Sequence, residues 1–264
     1  MRVATSGSCD RCYKFQDTPA GHCHSGRVQS NPRRYVLTAA AAALWCLVLT
    51  PVQAYVFSLP EQPAWLLPLD GQLRSIVDQA AGVFPHLDPY YIFGRLFFPA
   101  YLLVAYAFQW LYRTQRQLAG TVHNWLGKAF IGASALGGLG DAAFYWGGTN
   151  PEISEIGGVQ LLGWVVEEFA LLVMIVTVIG FGITTISTGV LPRWTGYLLA
   201  AGGLIAAPAG LITYIPHGLV LVLALTVFVV TALSPRETRP QENRAPILTQ
   251  KRPRGSASTP DGSL

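Results

Sequence analysis

The chain has 264 residues, of which 51% are hydrophobic and 12% charged, with a formal net charge of +4. Soluble domains carry about 25% charged residues, and here 12 of the 18 Lys and Arg lie within residues 1–34 and 234–264. The composition excludes an ordinary soluble domain and predicts a membrane core with polar ends. It gives no argument for nucleic-acid binding, because the positive charge belongs to the tails.

The predicted fold is all-α: a polytopic transmembrane bundle of about six spans with both termini cytoplasmic. Residues 1–34 read as a disordered cytoplasmic tail. Within 9-CDRCYKFQDTPAGHCHSG-26, Cys9 and Cys12 have the C-x2-C spacing of a zinc half-site. His22, Cys23 and His24 could complete a tetrahedral set of thiolate and imidazole ligands. The second half is cramped and follows no familiar finger spacing. A disordered leader with reduced thiols, or one produced by a start codon placed too early, is the competing reading.

The first span is placed near 35–57. Arg33-Arg34, the alanine-rich run and Val52-Gln53-Ala54 are similar to a signal peptide with its cleavage site. The 34-residue leader is long for that role, so an uncleaved anchor is expected. Cys46 sits mid-span as a small packing residue.

The loop 58–88 is longer than connection requires. Leu69, Leu73, Ile76, Val77, Ala80 and Phe84 recur at helical spacing, with Arg74, Asp78 and Gln79 opposite. This predicts an amphipathic helix at about 69–84 on the outer membrane surface, docked on the bundle or serving as a lid.

Further spans fall near 89–112, 126–147, 158–187, 195–214 and 216–234, the last two joined by a tight turn at 214–217. Residues 235–264 read as a disordered basic tail able to lie against anionic headgroups. Basic residues flank one set of span ends: Arg27, Arg33 and Arg34, then Arg113, Arg116 and Lys128, then Arg193, then the C-terminal tail. Glu61, Asp70, Asp78 and Asp88 fill one intervening loop, Glu152 and Glu155 another. The positive-inside rule then places both termini in the cytoplasm and the chain in the cell membrane.

Four ionisable residues fall within the spans: Arg95, Asp141, Glu167 and Glu168. Such groups are costly in lipid and mark function by default. Helical rise puts Arg95 and Asp141 about 9 Å below the outer surface and the two glutamates roughly 14 Å deep. Ala129, Ala133, Gly137, Asp141 and Tyr145 recur every fourth residue, so Asp141 continues a small-residue contact face. Glu167 and Glu168 are about 100° apart on their helix, so one is expected inside and the other toward a neighbouring helix or Arg95. One arginine cannot neutralise three acids. At least one acid is expected to hold a proton at neutral pH, since burial and a like charge favour its uncharged form.

Gly138-Leu139-Gly140-Asp141, with Phe144-Tyr145, resembles the G-x-G-D motif of presenilin-type intramembrane aspartyl proteases. The chain lacks that family's Tyr-Asp pair and its Pro-Ala-Leu motif, and the reading is rejected. From Asp141 through Trp146-Gly147, Asn150-Pro151-Glu152 and Gly157 to Glu167-Glu168-Phe169, the order is similar to the membrane lycopene cyclases, and more broadly to small membrane terpene cyclases. Val165 stands where that family has proline, and Ala170 interrupts its Phe-Phe pair. The resemblance implies acid-initiated cyclisation or isomerisation of a membrane-soluble isoprenoid, lyase or isomerase chemistry, with Asp141, Glu167 and Glu168 as acid–base candidates. Residues 189–210, opening Gly189-Val-Leu-Pro-Arg-Trp-Thr-Gly196, resemble a segment of uncharacterised actinobacterial membrane proteins and imply no activity.

The candidate site is therefore Asp141, Glu167, Glu168 and Arg95 as catalytic residues. Tyr91, Phe144, Tyr145, Trp146, Trp164 and Phe169 are candidate substrate-binding aromatics, able to stabilise a cation or to anchor at the interface. His86 and His217 are read as solvated turn residues, with a place in the site as the alternative. Pro99 and Pro208 could break their helices. No nucleotide, metalloprotease or nucleophile-elbow motif is present, and no cofactor is expected. The expected partner is a membrane lipid or isoprenoid substrate. A proton-coupled transporter or channel, and a non-enzymatic membrane scaffold held by a structural Arg–carboxylate cluster, remain the alternatives.

Overall fold

Each long apolar stretch forms a helix, because a buried or lipid-facing backbone must satisfy its own hydrogen bonds. The computed structural model describes residues 32–59, 62–116, 119–147, 149, 158–213 and 217–234. All belong to the compact unit Asn31–Leu264. The tails, with Cys9, Cys12, His22 and Cys23, lie outside the described residues, as do residues 150–157 and 214–216. Among the described residues there are helices and no strand.

Helix α1 runs Pro32–Phe57. A 3-10 turn at Leu67–Leu69 leads into α2, Asp70–Val83. Helix α3 is the short Pro89–Gly94 and α4 is Phe98–Gln115. Helices α5 (Thr121–Gly147), α6 (Val159–Thr188), α7 (Arg193–Thr213) and α8 (His217–Leu233) complete the order.

Among the described residues, three helical stretches are long and apolar enough to cross a membrane: Pro32–Phe57, Pro89–Gln115 and Val159–Thr188. The other predicted spans also coincide with helices. Of these, α8 is a shorter apolar helix, and α5 is diluted by its glycines, Lys128 and Asp141.

Local chemistry explains the boundaries. Asp88 caps α3, its carboxylate accepting from the Tyr90 N–H at 2.8 Å, with Pro89 at the first helical position. The second predicted span is broken at residues 95–97. Pro99 has no N–H for the Arg95 carbonyl, so the helix cannot run through and restarts as α4. By contrast Pro208 lies inside α7, which continues to Thr213. Gly189 ends α6 at φ 64°, the left-handed cap that glycine adopts without penalty.

The long helices pack in chain order, α4 on α5, α5 on α6, α6 on α7 and α7 on α8. Helix α8 returns to α1, α1 meets α4, and α4 also touches α8. Helices α5 and α6 approach backbone to backbone. A Cβ on Gly140 would stand 2.6 Å from the Glu167 nitrogen, and one on Gly163 would stand 2.5 Å from the Phe144 nitrogen. The small-residue face of α5 is buried at Ala133, Gly137, Asp141 and Tyr145. Outward positions are apolar too, including Leu44, Val48, Leu139, Leu161, Phe169 and Ile183. A soluble bundle does not expose so much continuous apolar surface.

Helix α2 docks rather than floats. Leu73 and Val77 are buried with Val52, Tyr55, Leu66 and Phe93. The Tyr55 hydroxyl donates to Asp70 at 3.3 Å. Arg74, outside the spans, keeps its proton more firmly than usual because of Tyr55 and then Asp70.

Candidate functional site

Near the α2 end of the bundle, three helices each contribute one ionisable side chain to a single point. Asp141 comes from α5, Glu167 from α6 and His217 from the first residue of α8. Their exposures are 0%, 2% and 0%. His217 Nε2 lies 2.8 Å from Asp141 Oδ1 and 3.3 Å from Glu167 Oε1. Two carboxylate acceptors on one ring nitrogen identify it as the protonated nitrogen.

Tyr101, on α4, donates its hydroxyl to the same Glu167 Oε1 at 2.7 Å. Ser134 steadies that turn of α4 by donating to the Tyr101 carbonyl at 2.7 Å. The walls are aromatic. Phe97 stacks on the His217 ring at 3.8 Å between centroids and 7° between planes. Tyr145 flanks it at 5.7 Å. An imidazolium between two π faces gains cation–π attraction. The Tyr145 hydroxyl accepts from Gln53 Nε2 at 2.6 Å and donates to Tyr90 at 3.3 Å. This links the buried centre to α1 and to the half-buried Tyr90, Tyr91 and Phe144 group. Two polar atoms of the centre are buried without a hydrogen-bond partner, Asp141 Oδ2 and His217 Nδ1.

Two of the four expected catalytic residues meet here. Arg95 does not join them. Its Nε reaches the Tyr145 carbonyl at 3.5 Å, and no ion pair of Arg95 occurs among the described residues. The helix break turns residue 95 off the inward face of α4, and His217 supplies the positive partner instead. Glu168 is half-buried on the next face of α6 and pairs with Trp164. Of the expected aromatics, Tyr145 is buried and Tyr91 and Phe144 are half-buried beside it. Trp146, Trp164 and Phe169 point outward, at 52%, 46% and 61% exposure. That is the lipid-facing position, which explains these three without a substrate.

His217 corrects the expectation of a solvated turn residue; His86 is exposed as expected. Tyr101 and Gln53 join the site with no such role expected from the sequence. A signal for Tyr101 existed: Phe97, Tyr101, Val104 and Phe108 recur at helical spacing, and all are fully buried. Gln53 lies near the end of a long apolar helix, where a polar side chain passes for an interface residue.

Asp141, Glu167 and His217 are also the described group that could ligate a cation, with ligand atoms within 4.8 Å of one another. Metal-bound histidines usually give their second ring nitrogen to a partner. His217 Nδ1 has none, and Nε2 already stands at hydrogen-bond distance from both acids. The arrangement fits shared protons better than a metal. A second buried histidine, His123, bonds Thr184 at 2.7 Å near the opposite end of α5. Eighteen residues, about 27 Å of helix, separate it from Asp141.

The chain matches no protein-family model, no curated protein and no solved structure.

Proposed function

We propose that Asp141, His217 and Glu167 form an intramembrane acid centre that protonates a membrane-soluble isoprenoid. The observation that carries this reading is the split use of the Asp141 carboxyl: Oδ1 is held by His217 at 2.8 Å, while Oδ2 is buried and unpaired. A cluster of two acids and one base is electrically neutral with His217 charged, Glu167 ionised and Asp141 protonated. Neutrality is the state a low-dielectric site favours. The Tyr101 hydroxyl supports it by donating to Glu167. The acid proton then sits on Oδ2. The imidazolium at Oδ1 stabilises the carboxylate left behind.

In the reaction, an alkene π pair takes the Oδ2 proton, forming a C–H bond and a carbocation. The cation is attacked by a second double bond of the same chain, or simply rearranges. Loss of a proton from the neighbouring carbon to Asp141 restores the acid, so the product is an isomer of the substrate. Phe97, Tyr145, Tyr90, Tyr91 and Phe144 supply π faces for the cation. The resemblance to membrane lycopene cyclases supports the same acids, with Glu167 rather than Glu168 inside. Arg95 orients the Tyr145 backbone and has no chemical role in this scheme.

The same reading takes the protein as integral to the cell membrane, with six spans and both termini cytoplasmic. Helices at all six predicted positions and the basic residues at alternate span ends support it.

The test is mass spectrometry of lipid extracts from a host that accumulates prenyl and carotenoid precursors. Wild type should yield an isomeric or cyclised product. Asp141→Asn should lower it by at least about a hundredfold, the usual loss of a general acid, while remaining folded. If extracts are unchanged but proteoliposomes show proton flux that Asp141→Asn abolishes, the centre is a transport relay. Neither activity would leave the triad a structural tie between helices.

A further inference from the structure

Buried polar atoms are nearly always paired, so a gathering of unpaired ones points to a missing guest. Among the described residues, Thr50 Oγ1, Gln53 Oε1, Asp141 Oδ2 and His217 Nδ1 are all buried and without a partner. Gln62, His123, Asn124 and Ser234 also carry such atoms, but Thr50, Gln53, Asp141 and His217 share Tyr145 as a neighbour or stand one turn from a residue that does. Tyr145 connects them: Gln53 donates to its hydroxyl at 2.6 Å, Asp141 lies one turn before it on α5, and its ring stands 5.7 Å from that of His217. Thr50 lies one turn before Gln53 on the buried face of α1, a helix that packs on α8 and α4.

Thr50 is the informative member. A threonine inside a helix normally donates to the carbonyl four residues back. Thr38, Thr114, Thr177, Thr185, Thr226 and Thr231 all do so. Thr50, only 2% exposed, does not. Its hydroxyl has declined the local acceptor at a position where solvent cannot replace it.

We propose that a neutral hydroxyl group binds beside Tyr145, between α1, α5 and α8, donating to Gln53 Oε1 and accepting from His217 Nδ1 and the Thr50 hydroxyl, while Asp141 Oδ2 stays free for the alkene. Gln53 Oε1 can only accept, so the guest must donate. A protonated His217 Nδ1 can only donate, so the guest must also accept. A single oxygen bearing hydrogen does both. A carboxylate or phosphate there would be repelled by Glu167, and a cation by His217. Two sources carry this chemistry, a water molecule or the head of a polyprenyl alcohol. The inference builds on the reading of the triad as an acid centre, since it places a polar group beside the acid. It is tested by binding, so the two can fail separately.

The experiment is thermal unfolding in lipid nanodiscs of wild type, Thr50→Val and a Thr226→Val control. Each is measured alone, with farnesol, and with the matched hydrocarbon farnesene. If the guest is water, Thr50→Val alone melts lower than the control by about 2 °C or more and farnesol adds nothing. If it is an alcohol head, farnesol but not farnesene raises the wild-type melting temperature by about 2 °C or more, and Thr50→Val loses the shift. The proposal is overturned if Thr50→Val melts at or above the control and no farnesol shift depends on Thr50. Replacing a truly unsatisfied hydroxyl by a methyl group is neutral or stabilising. Intact product formation with that melting result removes only the hydroxyl site. A Thr50-dependent shift without any product removes only the acid step.

Discussion

His217 sets the character of the site, because it is the only cation within reach of two buried carboxylates among the described residues. Removing one partner of such a cluster strands charge in a medium that cannot solvate it, at a cost of about 3–5 kcal/mol. His217→Leu is therefore expected to unfold earlier by that amount in nanodiscs. Adding Asp141→Asn should cost less than it does in the wild-type background, because its contact with His217 is already gone. A double-mutant cycle on the two positions measures the coupling, and strictly additive effects would show that the 2.8 Å contact has no energetic weight. Glu168 makes the complementary test. It bonds Trp164 rather than His217, so Glu168→Gln should leave product formation within about a factor of three, whereas Glu167→Gln should not. The sequence allowed one of these adjacent acids inside and could not say which, because helix phase relative to α5 is set by packing. Asp141 was legible from its small-residue face. His217 was not, because its partners are 76 and 50 positions away and a histidine at a helix end is ordinarily solvated.

The α5–α6 contact is what brings Asp141 and Glu167 to one point, and glycine makes it possible. A methyl at Gly140 would meet the Glu167 backbone nitrogen at 2.6 Å and the Gly163 carbonyl at 2.8 Å. Both are main-chain atoms, so no rotamer change relieves the clash and the helices must separate. Gly140→Ala should cost about 1–3 kcal/mol despite the better helix propensity of alanine. It should also lower product formation, because the separation pulls Glu167 from His217. Gly132, on the same helix, is the control, since a methyl added there would meet nothing within 4 Å. Gly132→Ala should raise stability by about 0.5–1 kcal/mol. Equal effects at the two sites would mean that close approach does not position the acids. Glycine-rich composition announced a helix contact in α5, but its register against Gly163 needed the structure. The break before α4 shows the opposite case. Pro99 and its missing N–H were legible as a possible break. That the break withdraws Arg95 from the acids, while Tyr101 one turn further on stays inward, depends on how the two short helices rejoin.

At the scale of the whole molecule, charge and hydropathy fix the class, and the arrangement of ends gives the site a side. All the acid-centre residues lie at the end of the bundle that carries α2, opposite the end where α4 stops at Gln115 and α5 begins at Thr121. On the proposed topology of six spans with cytoplasmic termini, that end faces outward, and protons and any hydroxyl guest would arrive from the outer leaflet. Cysteine labelling in intact cells tests the arrangement directly. Gln72, exposed in α2, becomes cysteine in a chain whose Cys9, Cys12 and Cys23 are serine. Cys46 is fully buried and should stay silent. Gln72→Cys should react with a membrane-impermeant maleimide before permeabilisation. In the otherwise native chain the three tail cysteines should react only afterwards. Labelling of the tail from outside, with Gln72→Cys silent until permeabilisation, would invert the topology and turn the acid centre toward the cytoplasm. The positive-inside pattern would then have to be read as headgroup contact rather than orientation. The expected result fixes the direction of substrate entry, because an apolar chain approaching the acid centre from that end must then leave the outer leaflet first.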